Sequence, residues 1–251
     1  MTISSKRYKP QHPKLFDNNM LINELSIPKY LGIILSCNLS WRPHILSIYE
    51  KASKMLNFLK EIQFKVSRDT LMKLNKSLIR PLMEYADVIW DGCNEDDSEL
   101  IESVQYEAAR MVMGAMRGTS RSRLLHEVAW EEMKIRRKLH KLVFYFKIKS
   151  RLVPSYLSEL IPCTVGQRTQ ISLRTSENLS IHPTRTERFK KSFFPIYNKA
   201  VEWNEIGLNI RRVDSLNVFK NSMVNYLNLP HYNTLFDFSL DRYSSIFHTR
   251  L

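Results

Sequence analysis

The sequence predicts a mainly α fold: a helical bundle with a small N-terminal β-hairpin or sheet and a small mixed α/β region towards the C-terminal end. Two observations carry this expectation. Between residues 41 and 150, apolar side chains recur at three- and four-residue steps, the spacing of one helix face. Short apolar runs separated by turn formers, the pattern of strands, are confined to the two ends of the chain.

KLF, the turn formers Asp17-Asn18-Asn19, and MLI read as a hairpin, and YLGIIL after Pro28 reads as a further strand, within which Gly32 marks a close backbone approach. Ser40 stands where it would cap a helix running to Ile62, with Ile45, Ile48, Tyr49, Ala52, Met55, Leu56 and Leu59 inward. Ser67 opens a second long helix to Ile89. Leu74, Leu78, Leu82, Tyr85, Ala86 and Ile89 form its stripe, and Pro81, which has no N–H, should bend it. The acidic stretch Asp91 to Asp97 reads as a solvated loop and helix N-terminus. A third helix, from Ser98 to Met116, turns Leu100, Ile101, Val104, Ala108, Met111 and Val112 inward, and the glycines Gly114 and Gly118 mark its end.

A short helix from Leu124 to Trp130 leads into a basic helix from Glu131 to about Ser150. Met133, Ile135, Leu139, Leu142, Val143 and Phe146 supply its buried side, while Arg136, Arg137, Lys138, Lys141, Lys147 and Lys149 load the remainder with charge. Basic helices of this kind follow phosphate backbones; a solvated charged face is the alternative. After PSYLSELIP, which ends at Pro162, the composition shifts to Thr, Ser and Arg. ISLR, LSIH and RFKKSFF are short strand candidates, Pro195 opens a helix through Trp203, and Ser215 caps SLNVFKNSMVNYL. The expected organisation is therefore 1–40, 41–162 and 163–251.

Composition narrows the function. With 251 residues, 43% of them hydrophobic, the chain can bury a real core, and its net charge of +13 suggests a polyanionic partner, nucleic acid before a membrane surface. Cys37, Cys93 and Cys163 are scattered and lack the paired spacing of a zinc site, so reduced thiols and no metal are expected. The six glycines form neither GxGxxG nor GxxxxGK[ST], and the seven histidines form no HExxH; no cofactor is expected, and His44 and His126 read as structural. No apolar run of about eighteen residues exists, and MTISSKRYKPQHPK is polar and basic. An intracellular protein of the nucleus or cytoplasm is the expectation.

EYADVIWDG, from Glu84 to Gly92, bears on catalysis. Tyr85-Ala86-Asp87-Val88 approaches the aromatic-Ala-Asp-Asp box of polymerases, but nucleotidyl transfer needs carboxylates that hold two ions about 4 Å apart, and Val88 cannot ligate magnesium. Asp87 instead reads as a surface residue of a helix.

Several stretches together resemble the end of a reverse transcriptase of non-LTR (LINE-type, jockey-like) retrotransposons. KYLGIILSCNLSW is similar to the segment that leaves the palm through the primer grip. KASKMLNFLKEI, SLIRPLMEYADVIWDGC and LIESVQYEAARMVMG resemble the thumb; RRKLHKLVFYFKIKSRLVPSYLSELIP and RTERFKKSFFP with Trp203-Asn204 resemble the region C-terminal to the thumb. The resemblance covers most of Lys29 to Lys220 and implies a thumb-like bundle behind a remnant of palm-edge strands. It also implies that the family's Asp-Asp box would lie upstream of Lys29, so that this chain, though similar to an RNA-directed DNA polymerase, should be inactive alone. A thumb holds template-primer duplex, which implies contacts at Lys29, Tyr30 and Gly32 near the primer end; the basic helix adds Arg136, Arg137, Lys138, Lys141 and Lys147 as candidates. The alternative is a non-enzymatic interaction protein or an element remnant. Strands left without a palm would also expose an edge and promote self-association.

Overall fold

The computed structural model describes residues 13–159, 161–170, 174–181, 197–229 and 232. Among the described residues it is mainly α, with strands only near the start. β1 (Phe16–Asp17) pairs antiparallel with β2 (Met20–Leu21), Phe16 opposite Leu21. Asn18 and Asn19 join them with φ of 46° and 63°, the left-handed conformation that asparagine tolerates and a two-residue hairpin turn requires. β3 (Lys29–Tyr30) pairs with β4 (Ile33–Ile34) in a separate ribbon.

The two ribbons differ in what supports them. Every residue of β1 and β2 is exposed. The β3–β4 ribbon is tied down: Ile33 is buried, the Tyr85 hydroxyl donates to the Leu31 carbonyl at 2.7 Å, and the Ile34 N–H donates to His44 Nδ1 at 3.4 Å. A Cβ on Gly32, at φ 82°, would stand 3.1 Å from Tyr85 Cε1, so the close approach expected there is real. His44 can accept only if its ring is neutral, and burial, helped by the charge of Lys51, pushes its pKa down to about 4.

α1 (Arg42–Ile62) has the span and inward face expected of it. Ile45, Ile48, Ala52, Leu56 and Leu59 are buried, Tyr49 and Met55 pack at the margin, and Pro43 occupies the first turn, where no N–H is needed. The N-cap is Trp41, without a side-chain cap; Ser40, expected as the cap, lies one residue earlier, and its Oγ accepts from the Arg42 N–H at 3.3 Å. α2 (Arg68–Leu74) begins at Ser67, whose side chain accepts from the Thr70 N–H.

The second helix does not run on to Ile89. It widens into a π turn (Asn75–Ile79), resumes as α3 (Arg80–Glu84), breaks at Tyr85–Ala86, where Ala86 has φ 53°, and closes as α4 (Asp87–Trp90). Pro81 explains the widening. It has no N–H for the Ser77 carbonyl and its ring crowds that carbonyl, whereas the Arg80 N–H reaches back to Asn75 O. An α-helix that buries Leu71 and Asn75 would next bury residues 78 and 82; the extra residue per turn delays this by one. The buried side is therefore Leu71, Asn75, Ile79 and Met83. Of the expected stripe only Ala86 is buried, while Leu78 is 36% exposed and Tyr85 and Ile89 face solvent.

α5 (Glu95–Met113) carries Glu95, Asp96 and Asp97 in its first turn, where carboxylates favour the helix dipole, and ends at Gly114 with φ 61°. α6 (Arg121–Val128), α7 (Met133–Lys149), α8 (Ser155–Ser158) and α9 (Val165–Thr169) come next. A capping box of Thr164 and Gln167 starts α9. α10 (Tyr197–Glu205), α11 (Leu208–Arg211) and α12 (Leu216–Tyr226) complete the described chain. Of the later strand candidates, Leu179 in LSIH makes a single bridge to Thr164; most of ISLR, all of RFKKSFF, and Pro195 lie outside the described residues.

The core falls into two main clusters. One joins α1, α2, the π turn, α5 and α6 and reaches Met133; the other joins Leu139 to Phe146 of α7 with Trp203, Phe219 and Met223. Phe146 stacks on Phe219 with ring centres 4.2 Å apart. α7 has apolar residues for both clusters. Among the described residues no helix is long and apolar enough to cross a membrane.

The π-turn register is testable by urea unfolding. Ile79→Ala should cost about 2–5 kcal/mol and Leu78→Ala less than about 1 kcal/mol. Equal losses, or the reverse order, would mean that the helix keeps regular α geometry through Pro81.

Candidate nucleic-acid interface

Between Pro81 and Gln105 the chain carries Glu84, Asp87, Asp91, Glu95, Asp96, Asp97, Glu99 and Glu102, and no lysine or arginine. Most of these carboxylates meet α7. Glu84 accepts from Arg136 Nε at 2.5 Å, Asp87 Oδ2 lies 2.5 Å from His140 Nδ1, and Asp91 accepts from Lys141 Nζ at 2.6 Å. A carboxylate can only accept here, so Nδ1 carries the hydrogen. The pairs ascend together along both segments. They are possible because the left-handed Ala86 turns the chain between Glu84 and Asp87, a break secured by the Trp90 indole N–H donating to Tyr85 O at 3.0 Å.

Further contacts complete the seam. Arg137 donates to Ser98 Oγ at 2.5 Å, lies 3.5 Å from Asp91, and stands over the Trp90 ring. Lys141 also donates to Glu202 of α10 at 2.8 Å. Burial works against its charge, but the carboxylates of Asp91 and Glu202 prevail and hold its pKa above the usual lysine range. Glu102 accepts from the backbone N–H groups of Met133 (3.1 Å) and Lys134 (2.6 Å), so α7 is capped by a side chain from α5. Burial raises the Glu102 pKa, and these two N–H donors oppose the rise.

This geometry reassigns most of the candidate contacts. Arg136, Arg137, Lys141 and Lys147 are buried, so α7 is an interior helix and these four side chains do not face a phosphate backbone. Lys138 is partly exposed and 3.9 Å from Glu205. Lys149 donates to the Arg211 carbonyl at 3.1 Å and stands over Trp203. Lys29 and Tyr30 remain exposed on β3, and Gly32 lies in the adjoining turn. Asp87, expected on a surface, is 0% exposed, as is its partner His140. Asp97, expected in a solvated loop, is buried against Arg42 at 2.6 Å. Among the described residues, no group of three or more His, Cys, Asp or Glu could hold a metal ion.

The charge left in solvent lies elsewhere. From Arg42 to Arg80 the chain carries Arg42, Lys51, Lys54, Lys60, Lys65, Arg68, Lys73, Lys76 and Arg80 against only Glu50, Glu61 and Asp69. Lys51, Lys54, Lys65, Arg68, Lys73 and Lys76 are exposed. Lys51 and Lys54 are one turn apart on α1 and so share a helix face. A periodicity search for apolar stripes passes over them. The signal that finds them is charge segregation: the acidic segment cancels α7, and the surplus stays on the first helices.

The buried pair gives a direct test by denaturant unfolding. Asp87→Ala leaves His140 buried without its acceptor and should cost about 3–5 kcal/mol; Asp87→Asn, harmless at a surface position, should still cost more than about 1 kcal/mol. An unfolding midpoint equal to that of the parent chain for both variants would put Asp87 back in solvent. No family model, characterised protein or solved structure matches the chain.

Proposed function

We propose that the chain is the thumb and following region of a non-LTR retrotransposon reverse transcriptase, a part that holds template-primer duplex, in the nucleus or cytoplasm, and supplies no catalytic centre of its own. The observation that carries this reading is the run of exposed cations on α1, α2 and the π turn, which stays in solvent while Arg136, Arg137 and Lys141 of α7 are paired with carboxylates in the interior. The segments that resemble the thumb fall on α1, α3, α4 and α5, and Leu56, Met83, Trp90 and Ile101 of these helices belong to one apolar cluster. Phosphate contacts position a duplex without reading its sequence, so cations on helix faces are sufficient for holding it. The exposed Lys29 and Tyr30, next to Gly32, would present the β3–β4 turn towards the primer end.

Duplex binding should be tolerant of sequence and steeply salt-dependent, with each neutralised phosphate contributing a slope of roughly 0.9 in log affinity against log salt. Lys51→Gln with Lys54→Gln should flatten that slope by up to about two such contributions. Arg137→Gln should act on stability, not on slope. Absence of duplex binding by the folded chain overturns the reading.

One observation favours a second reading, a non-enzymatic interaction protein or element remnant. Leu15, Phe16, Met20, Leu21 and Ile22 on the first ribbon, and Leu25 and Ile27 in the segment after it, are all exposed, and open apolar strand edges recruit other strands. The isolated chain should self-associate in light scattering, and Phe16→Ser with Leu21→Ser should reduce the association. A monodisperse parent chain would remove this reading's support.

A further inference from the structure

The corner where α1 ends, α2 begins and α5 ends encloses an open cavity of about 520 Å³. Leu71, Met111 and Val112 form an apolar floor. Phe64, in the turn between α1 and α2, is 92% exposed at its edge, and Met116, just beyond α5, is 86% exposed. Cations reach the rim from three elements: Lys60 from α1, Arg68 from α2 and Arg110 from α5. Glu107, the one carboxylate in the lining, contacts Arg110 and lies 3.8 Å from Lys60, so positive charge predominates. Arg68 is held in place by donating to the Glu127 carbonyl at 2.8 Å.

Sequence around this corner alternates ring and cation: Phe58, Lys60, Phe64, Lys65 and Arg68, with Phe58 also exposed. A phenyl ring in water beside several cations gains nothing from the protein's own packing. Both features are used at once by a strand whose bases stack on rings while its phosphates meet lysine and arginine. An apolar peptide anchor is served better by a closed, fully desolvated slot, which this open corner is not.

We propose that this corner is a single-stranded nucleic-acid site, in which Phe64 stacks on a base above the cavity and Lys60, Lys65 and Arg68 hold the flanking phosphates. The proposal rests on the nucleic-acid reading above and deepens it by naming the form of the strand. Beside a held duplex, such a site would take the unpaired part of the template.

The test is titration of the full chain with fluorescein-labelled oligo-dT and, separately, with a blunt hairpin duplex. Phe64→Ala removes a side chain that is almost wholly in solvent, so circular dichroism should be unchanged. Oligo-dT affinity should fall roughly 5- to 150-fold, the loss of one stacked base, with duplex affinity held. Lys65→Gln should lower the oligo-dT salt slope by about 0.7. If both ligands bind the Phe64→Ala variant as they bind the parent chain, the corner is not the site and the duplex reading stands. If the parent chain binds neither, both proposals fall together. An acidic, leucine-rich peptide that binds the parent chain but not Phe64→Ala, with oligo-dT unaffected by the same change, would assign the corner to a protein partner and overturn the proposal.

Discussion

An interior helix that carries Arg136, Arg137, His140, Lys141 and Lys147 can exist only if its charges are met within the protein. Stripping water from a guanidinium or ammonium costs several kcal/mol, and apolar neighbours return none of it. Glu84, Asp87 and Asp91 meet this requirement for Arg136, His140, Arg137 and Lys141, and the course of the chain before them is what brings them into line. Pro81 forces the π turn, the π turn shifts which side of the helix faces the core, and the left-handed Ala86 then turns the chain so that Asp87 and Asp91 follow Glu84 along α7. Each step is local, but the last serves a helix about fifty residues further on.

Because α7 contributes to both main apolar clusters, the charge seam also couples them. Met133 belongs to the cluster of α1, α5 and α6, while Leu139 and Phe146 belong to that of Trp203 and Phe219. Trp90 sits where these parts meet: fully buried, under the Arg137 guanidinium and edge-on to His44, which itself accepts from the β3–β4 ribbon. The net stabilisation from the buried pairs is small once desolvation is counted, since apolar residues of the same shape could serve as well. Their effect is specificity. They fix which face of α7 meets which segment, a choice that interchangeable apolar contacts would leave open.

The same seam separates the parts of the structure that are legible in the sequence from those that are not. α1 is amphipathic in the ordinary sense, so its span and inward face come from spacing alone, and the helix start after Ser67 comes from cap chemistry, whereas α5 starts at Glu95, three residues before the Ser98 that spacing gives. A fixed helical period misplaces Leu78 because it cannot register the residue added at the π turn, although Pro81 is a visible warning. Asp87 and Arg137 are misplaced for another reason: apolar periodicity treats every charge as a surface marker, and α7 buries charge. The information is present as complementarity between an acidic segment without cations and a basic helix further on, a pattern visible only when distant segments are compared.

Internal pairing on α7 also changes what net charge says about partners. A surplus of +13 summed over the chain would be shared by any basic helix, and α7 is the most basic-looking of them. Once α7 is neutralised from within, the remaining charge is no longer spread evenly. Among the described residues it is densest on the first helices, where Lys51, Lys54, Lys65, Lys73 and Lys76 stand in solvent and Phe58 and Phe64 stand with them. A polyanion responds to the local field within about a Debye length, roughly 10 Å at moderate salt, and hardly at all to cations paired in the interior. The face a nucleic acid would meet is therefore set by which cations the fold leaves without a carboxylate, and in this chain the acidic stretch from Glu84 to Glu102 makes that selection.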